Sequence, residues 1–344
     1  MSGLSAKQRG NGWKWLLAAI GVVIVFAIPF VARPFLLDLA NQVLLACIGA
    51  LALMLLTGLA GQISLGTAGL LAAGAYCVGI LSHNFNAPFW IILPAAGCLG
   101  ALLGFVFGLP SLRLRGLYLA ISTLGLHFIV VYLGGEYETR QQLSTGVMVD
   151  PPAIGSWSLA SNRGWYFTFL AFAALTLFIV FNLKRSRTGR AWRVLCEREV
   201  VASAIGIDVQ RMKLLAFVIS STILAVAGAL FAYQRNFVSI DAFSLYLTIQ
   251  YVAMIIIGGM GTIEGALLGA AFVVLLPYAI EGAASHLPAR LSSFVFALNY
   301  AAFGLVMIFF LLFEPTGLVG IIRRIVRRRR RPDVPLHPAG SNEH

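Results

Sequence analysis

Charge is what this sequence has least of. Acidic and basic residues make up 11% of its 344 positions, less than half of the roughly 25% usual for soluble domains. A water-facing surface cannot be built from so little, so a freely soluble globular class is excluded. The short motifs that carry chemistry are also missing. No GxxxxGK[ST] run is present to cradle a nucleotide phosphate, and neither GxSxG nor HExxH occurs. A hydrolase would have to draw on Ser64 or Ser122 with His83 or His127. His127 falls within an apolar stretch, where a lone histidine more often serves packing. The four cysteines (Cys47, Cys77, Cys98, Cys196) are scattered without CxxC or metal-ligand spacing. They read as small reduced thiols, so neither a metal nor a cofactor is expected, and enzyme activity is not expected.

What is there is apolar. Hydrophobic residues make up 59% of the chain and come in long blocks, several near the roughly 20 residues a spanning helix needs. Helices are the reading these blocks allow, because in lipid each backbone N–H and C=O must find its partner within the segment. The expected class is an all-α polytopic helical membrane protein of about 8–10 transmembrane helices, with broken or re-entrant glycine-rich segments. The ten candidate spans are 15–31, 36–57, 61–82, 89–110, 115–134, 165–183, 212–234, 246–261, 262–282 and 295–313. Block 15–31 follows Lys7, Arg9 and Lys14 but has no small-residue cleavage site before Arg33-Pro34, so it reads as an uncleaved first helix.

The formal charge of +12 does not point to nucleic acid, because the cations sit between and beyond the apolar blocks. With the N-terminus inside, alternate crossings put Lys7, Arg9, Lys14, Arg113, Arg115, the cations of 184–213 and those of 323–331 on the inner side. The outer side keeps only Arg33, Arg140, Arg163, Arg235 and Arg290. That asymmetry puts both termini in the cytoplasm. The expected division is a cytoplasmic stretch 1–14, a membrane domain 15–322 and a basic, disordered cytoplasmic tail 323–344. Within the membrane domain, 135–164 is the largest outer loop and 184–211 the largest inner one.

Two glycine-dense stretches interrupt the blocks. The first runs Gly58-Leu-Ala-Gly61-Gln62-Ile-Ser64-Leu-Gly66-Thr67-Ala-Gly69, with Tyr76 following. Glycine costs about 1 kcal/mol in a helix interior, so this density has a reason: close helix packing through small faces, or a broken helix whose freed backbone lines a water-filled route. Gln62, Ser64 and Thr67 are the polar groups such a route would use. The second stretch, Gly258-Gly259-Met260-Gly261-Thr262-Ile263-Glu264-Gly265, has a similar composition in the second half of the chain and suggests an internal repeat. Glu264 is either an intramembrane acid or a residue at the cytoplasmic interface that caps a helix start after Thr262.

The inner loop carries a third pattern. Thr188 can cap a helix of about four turns that Gly206 ends. Val194, Val201 and Ile205 share one face, with Arg198 among them. This mixed amphipathic character suits docking into a groove on a soluble partner, or a snorkelling interfacial helix on anionic lipid.

At this loop a family resemblance emerges. Gly189-Arg190-Ala191, Glu197, Glu199, the Ala-Ile-Gly206-Ile turn and Lys213-Leu-Leu-Ala-Phe217 resemble the coupling loop of branched-chain amino acid ABC transporter permeases of the LivM type. The run from Gly58 to Gly66, residues 257–269 and Glu314-Pro315-Thr316-Gly317-Leu318 are similar to that family's other signatures, in the family's order over about 36–322. The chain departs at Thr67, where the family often has histidine.

The resemblance implies a bacterial inner-membrane pore subunit paired with a LivH-type permease, two cytoplasmic ABC ATPases and a periplasmic substrate-binding protein. It implies a translocation pathway through Gly61, Gln62, Ser64, Gly66, Thr67, Tyr76, Gly258, Gly259, Gly261 and Glu264. ATPase coupling would fall to Gly189, Arg190, Trp192, Glu197, Arg198, Glu199 and Gly206. Relatives also move urea, other amino acids or aromatic acids, which leaves the solute open. The rival class is an ion-coupled carrier working alone, with Glu264 and Glu281 as its only embedded acids.

Overall fold

A computed structural model describes residues 29–328, apart from 31, 86, 113–115, 143–145, 155–156, 159–160, 285–294 and 315–316. Nearly all of the expected first span, the stretch 1–14 and most of the tail lie outside the described residues.

Helix α1, Pro34–Leu53, starts on a proline, whose fixed φ suits a first helical turn and whose missing N–H costs nothing there. It runs on into a π-helical turn, Met54–Leu59. Helices α2 (Thr67–Phe85), α3 (Phe89–Ser111) and α4 (Leu117–Arg140) follow. A loop then carries the short strands β1 (Val147–Met148), β2 (Ala153–Ile154) and β3 (Trp157–Ser158). Helix α5 (Asn162–Arg185) leads to two short helices, α6 (Arg187–Glu197) and α7 (Glu199–Ala204), and then to the long α8 (Val209–Arg235). Strand β4 (Phe237–Val238) and a 3-10 turn (Ile240–Phe243) precede α9 (Leu245–Gly258), α10 (Ile263–Ala284), α11 (Val295–Phe313) and the amphipathic α12 (Gly317–Arg328).

Every expected span from 36–57 onward coincides with one of these helices. Among the described residues, seven of them are long and apolar enough to cross a membrane: α1 with its π turn, α2, α3, α4, α5, α8 and α10. Helix α9 has 14 residues, about 21 Å at 1.5 Å per residue, which is short of a hydrocarbon core of about 30 Å.

Three expected boundaries move. Residues 60–66 are not helical, so the third span begins only at Thr67. Helix α4 continues to Arg140, which takes Glu136 and Glu138 out of the outer loop and onto a helix. Helix α12 continues to Arg328, six residues into the stretch expected to be disordered.

The bundle is organised around α8, which packs on α3, α2 and α1. Small residues make the approach possible. A side chain at Gly74 would collide with the Ala225 carbonyl and one at Gly228 with the Leu71 carbonyl, while a Cβ at Gly100 would stand 2.6 Å from Ser221 O. In a membrane, where apolar surface gains nothing by leaving lipid, such backbone contact supplies the packing energy. The π-extended α1 is the most enclosed span, and α5 and α10 are the least. At the end away from α6 and α7, β1 pairs antiparallel with β4, tying the segment after α4 to the exit of α8.

Candidate functional site

The two glycine breaks and the 184–211 loop meet at one end of the bundle, called here the loop end. Gly58 lies in the last part of the π turn, where an added Cβ would stand 2.6 Å from the Gly261 N. The backbones of the two glycine stretches therefore touch, and neither position has room for a side chain. Gly61 has φ +70°, the left-handed region that glycine enters without steric cost. It packs on α6, where its missing Cβ would stand 3.1 Å from Cys196 Cα. Partial burial, and then the Glu197 carboxylate, push the thiol of the otherwise exposed Cys196 above its usual range.

Gln62 is buried and tied on several sides. Its N–H donates to Leu56 O at 3.1 Å, and its C=O accepts from Thr57 Oγ1 at 3.1 Å. Its side-chain Nε2 donates to the Lys213 carbonyl at 2.9 Å. Lys213, in the first turns of α8, is itself buried, and its ammonium forms an ion pair with the Glu199 carboxylate. An isolated buried ammonium costs several kcal/mol, about 3–5 when a partner is removed, so Glu199 is what lets Lys213 sit there. Two polar contacts thus link Glu199, at the start of α7, through Lys213 to the broken entry of α2.

Further contacts of Ser186, Gly189, Trp192 and Lys184 lock the loop onto the bundle. Ser186, not the expected Thr188, caps α6: its Oγ accepts from Gly189 N–H at 3.2 Å and donates to Leu183 O at 2.7 Å. A side chain at Gly189 would collide with Leu183 O and Lys184, so glycine lets α6 fold back on the end of α5. Trp192 is fully buried, and its Nε1–H donates to Met212 O at 2.9 Å, next to Lys213. Lys184 Nζ reaches Gly261 O at 3.4 Å, joining the loop to the second glycine stretch. The single four-turn helix expected here is two helices, because Arg198 is extended, at φ −154° and ψ 110°.

Relatives of known role share this chain's pattern. The family model described as branched-chain amino acid transport system / permease component matches residues 35–312. The chain belongs to that family. The high-affinity branched-chain amino acid transport permease LivM of Salmonella typhimurium is 33% identical over 80% of this chain and 69% of its own length. LivM of Escherichia coli strain K12 is 33% identical over 76% of this chain and 67% of its own. The LivH permease of Salmonella typhimurium is 28% identical over 67% of this chain and 75% of its own. No solved structure matches the chain. The protein is a permease subunit of an ABC importer, a transporter and not an enzyme, and the ion-coupled carrier is set aside.

Within this permease the expected pathway residues separate. Gly61, Gln62, Gly258 and Gly261 belong to the junction. Gly259, at φ +119°, and Gly261, at φ +74°, form the turn from α9 to α10. Thr262, not the expected Glu264, caps α10, its Oγ1 accepting from Gly265 N–H at 3.1 Å.

Ser64, Gly66 and Thr67 lie deeper, at the start of α2. The Leu65 N–H donates to Thr123 Oγ1 at 2.9 Å and the Ala68 N–H to Thr248 Oγ1 at 3.0 Å, so α4 and α9 satisfy the orphan N–H groups of the broken helix. Ser64 Oγ accepts from Gly66 N–H at 3.3 Å, and Thr67 Oγ1 is buried with no partner among the described residues. Gly66 serves packing: its Cβ would lie 2.8 Å from Thr123 O. Gly69 does the same against His127, at 2.7 Å from its Cα.

Tyr76 stands toward the opposite end, where its hydroxyl donates to Glu138 Oε1 at 2.5 Å and Ile240 N–H joins the same oxygen at 3.2 Å. Glu264 is exposed and paired with Arg323 Nη2 of α12 at 3.0 Å. Of its two readings, the surface one fits.

The residues expected to couple to the ATPase divide as well. Gly189, Trp192 and Glu199 hold the loop in place, whereas Arg190, Glu197, Arg198 and Gly206 are exposed on it. Beside them α7 turns Val200, Val201 and Ile205 outward, at 73%, 45% and 62% exposure. Val194, expected to share their face, is half-buried on α6 instead. Sequence reasoning missed Lys213, Lys184 and Glu138 as site residues. The signal for Lys213 was a cation directly preceding an apolar run, inside a helix rather than before it.

Proposed function

We propose that the chain forms one half of a pore with a LivH-type permease in the bacterial inner membrane, with both termini cytoplasmic. Two cytoplasmic ABC ATPases drive it through α6 and α7, and a periplasmic binding protein delivers branched-chain or related amino acids. The observation that carries the reading is the buried connection Glu199–Lys213–Gln62. It joins a loop with an exposed apolar and charged face to the break at the start of α2. ATPase closure pushes α7; because Trp192 and Lys213 tie α6 and α7 to α8, the push moves α8 and the Gly61–Gln62 break together and changes access across the membrane. The relation to both LivM and LivH supports a pore of two like subunits, in which each offers the other an equivalent face. The cation distribution supports the loop end as the cytoplasmic one.

The test is amino-acid uptake and substrate-stimulated ATP hydrolysis by the assembled importer carrying Glu197→Lys or Arg198→Glu. Both variants are expected to insert normally, to retain basal ATP hydrolysis and to lose most uptake. Normal uptake by both removes the loop from the mechanism.

A further inference from the structure

At the end opposite the loop, between α1, α8, α9 and α10, lies a cavity of about 330 Å³, in the size range of small-ligand sites. Its wall is apolar, with Leu45, Phe231, Leu247 and Met254, and its rim carries Gln42, Arg235 and Glu281. None of the residues expected to form the pathway lines it.

The rim has two parts of different character. Gln42 is fixed: its Nε2 donates to Asp38 Oδ2 at 2.8 Å and its Oε1 accepts from Tyr278 Oη at 3.0 Å. Arg235 and Glu281 carry opposite charges at the ends of α8 and α10. Among the described residues they neither pair with each other nor hydrogen-bond to any other group. The Arg235 guanidinium lies over the Phe231 ring, 5.9 Å from its centroid. A cation and an anion that share one cavity and leave each other unpaired present a matched set of charges to a ligand that carries both.

We propose that this cavity is an α-amino-acid site that reads the zwitterion. Arg235 takes the carboxylate, for which a guanidinium fork is the best partner, Glu281 takes the ammonium, and the apolar wall takes an aliphatic side chain. A fatty acid or an alkylamine leaves one rim charge unanswered, and discrimination by a missing polar partner is stronger than discrimination by size. A neutral solute such as urea uses neither charge. This assignment rests on the permease reading, and on its orientation the cavity opens where a binding protein releases its cargo.

The test uses the full chain in lipid nanodiscs and follows its thermal unfolding with three probes: L-leucine, leucinol, which lacks the carboxylate, and 4-methylpentanoate, which lacks the ammonium. Leucine is expected to stabilise the chain, and the two analogues to need at least about tenfold higher concentration. Arg235→Gln should abolish the preference for leucine over leucinol and keep that over 4-methylpentanoate; Glu281→Gln should do the reverse. Both side chains are exposed, so the ligand-free unfolding temperature should not move.

The assignment is overturned if leucine does not stabilise the parent chain, or if either variant keeps both preferences. It is equally overturned if the variants lose uptake in cells while both preferences persist, because the charges then serve contact with another protein. The permease reading fails on a separate result, the absence of a co-purifying ATPase and of any uptake by the parent protein.

Discussion

At the scale of single residues, the Glu199–Lys213 pair is asymmetric, and the asymmetry can be measured. The Lys213 side chain is 5% exposed and that of Glu199 26%. Removing the carboxylate strands a buried ammonium, whereas removing the ammonium leaves a carboxylate that water still reaches. Glu199→Gln is therefore expected to cost about 3–5 kcal/mol, and Lys213→Met clearly less. The double variant should recover most of the loss, because apolar replacement of a whole buried pair is often neutral. Thermal unfolding in detergent orders the three; equal loss in both single variants would contradict the burial argument.

Trp192 offers a second measurement. Trp192→Ala should cost about 3–5 kcal/mol as a large core truncation, and Trp192→Phe should lose mainly one hydrogen bond to Met212, about 1 kcal/mol. The same unfolding assay separates them, and a Phe variant as unstable as the Ala one would show that packing of the second ring matters more than the bond.

The role of Lys213 was not legible from the residues in a line. Lys213 reads as one more cation flanking a span, with a long side chain free to reach the surface, and only the return of α7 over it creates the burial. Tyr76 misleads in the other direction. It closely follows the first glycine stretch, yet nine residues of helix from Thr67 carry it about 14 Å along α2, to the neighbourhood of Glu138.

At the scale of elements, the helices were legible because their apolar runs are long, and the glycine stretches stood out because such density calls for close packing or for a break. What could not be read was which of the two explanations each glycine satisfied. Gly61 belongs to a left-handed turn, Gly66 and Gly69 to close packing on α4, and Gly58 to a contact with Gly261 from the other half of the chain. The kink at Arg198 was also hidden, since a helical spacing of apolar residues continues straight through it.

The contact between the two breaks leads to a prediction at this scale. Gly58→Ala places a methyl 2.6 Å from the Gly261 N, backbone against backbone, so the π turn and the α9–α10 turn must separate. Insertion and abundance are expected to be near normal, because the membrane spans themselves are unchanged, and uptake is expected to fall by about tenfold or more, as misplacements of about 1 Å commonly do at working sites. Gly282→Ala, where an added Cβ meets nothing within 4 Å, is the control and should transport normally. If Gly58→Ala transports as well as this control, the meeting of the two breaks is packing alone.

At the scale of the whole molecule, the bundle has two ends with different equipment. One holds α6, α7, the glycine junction and the basic α12; the other holds the cavity between α1, α8, α9 and α10, with the Tyr76–Glu138 bond and the β1–β4 pairing near it. Helix α8 spans both, carrying Lys213 at one end and Arg235 at the other, so a tilt of this one helix reaches both ends at once. On the proposed reading the exposed face of α7 would serve contact with the ATPase, and the buried face of the loop would transmit the force. The two functions separate by mutation. Val200→Asp with Ile205→Asp changes only side chains that are 73% and 62% exposed, so stability should stay within about 0.5 kcal/mol, as for surface substitutions generally. Contact with the ATPase should be lost, because two carboxylates would have to be desolvated in an apolar groove. Glu199→Gln, by contrast, should keep the ATPase bound and lose transport through a loosened transmission. Affinity purification of the importer, read for retained ATPase, together with an uptake assay, gives the two variants opposite signatures: ATPase lost with an intact bundle in the first, and ATPase kept without uptake in the second. An α7 double variant that retains its ATPase and transports normally would mean that this apolar face meets lipid, and that force enters the bundle elsewhere.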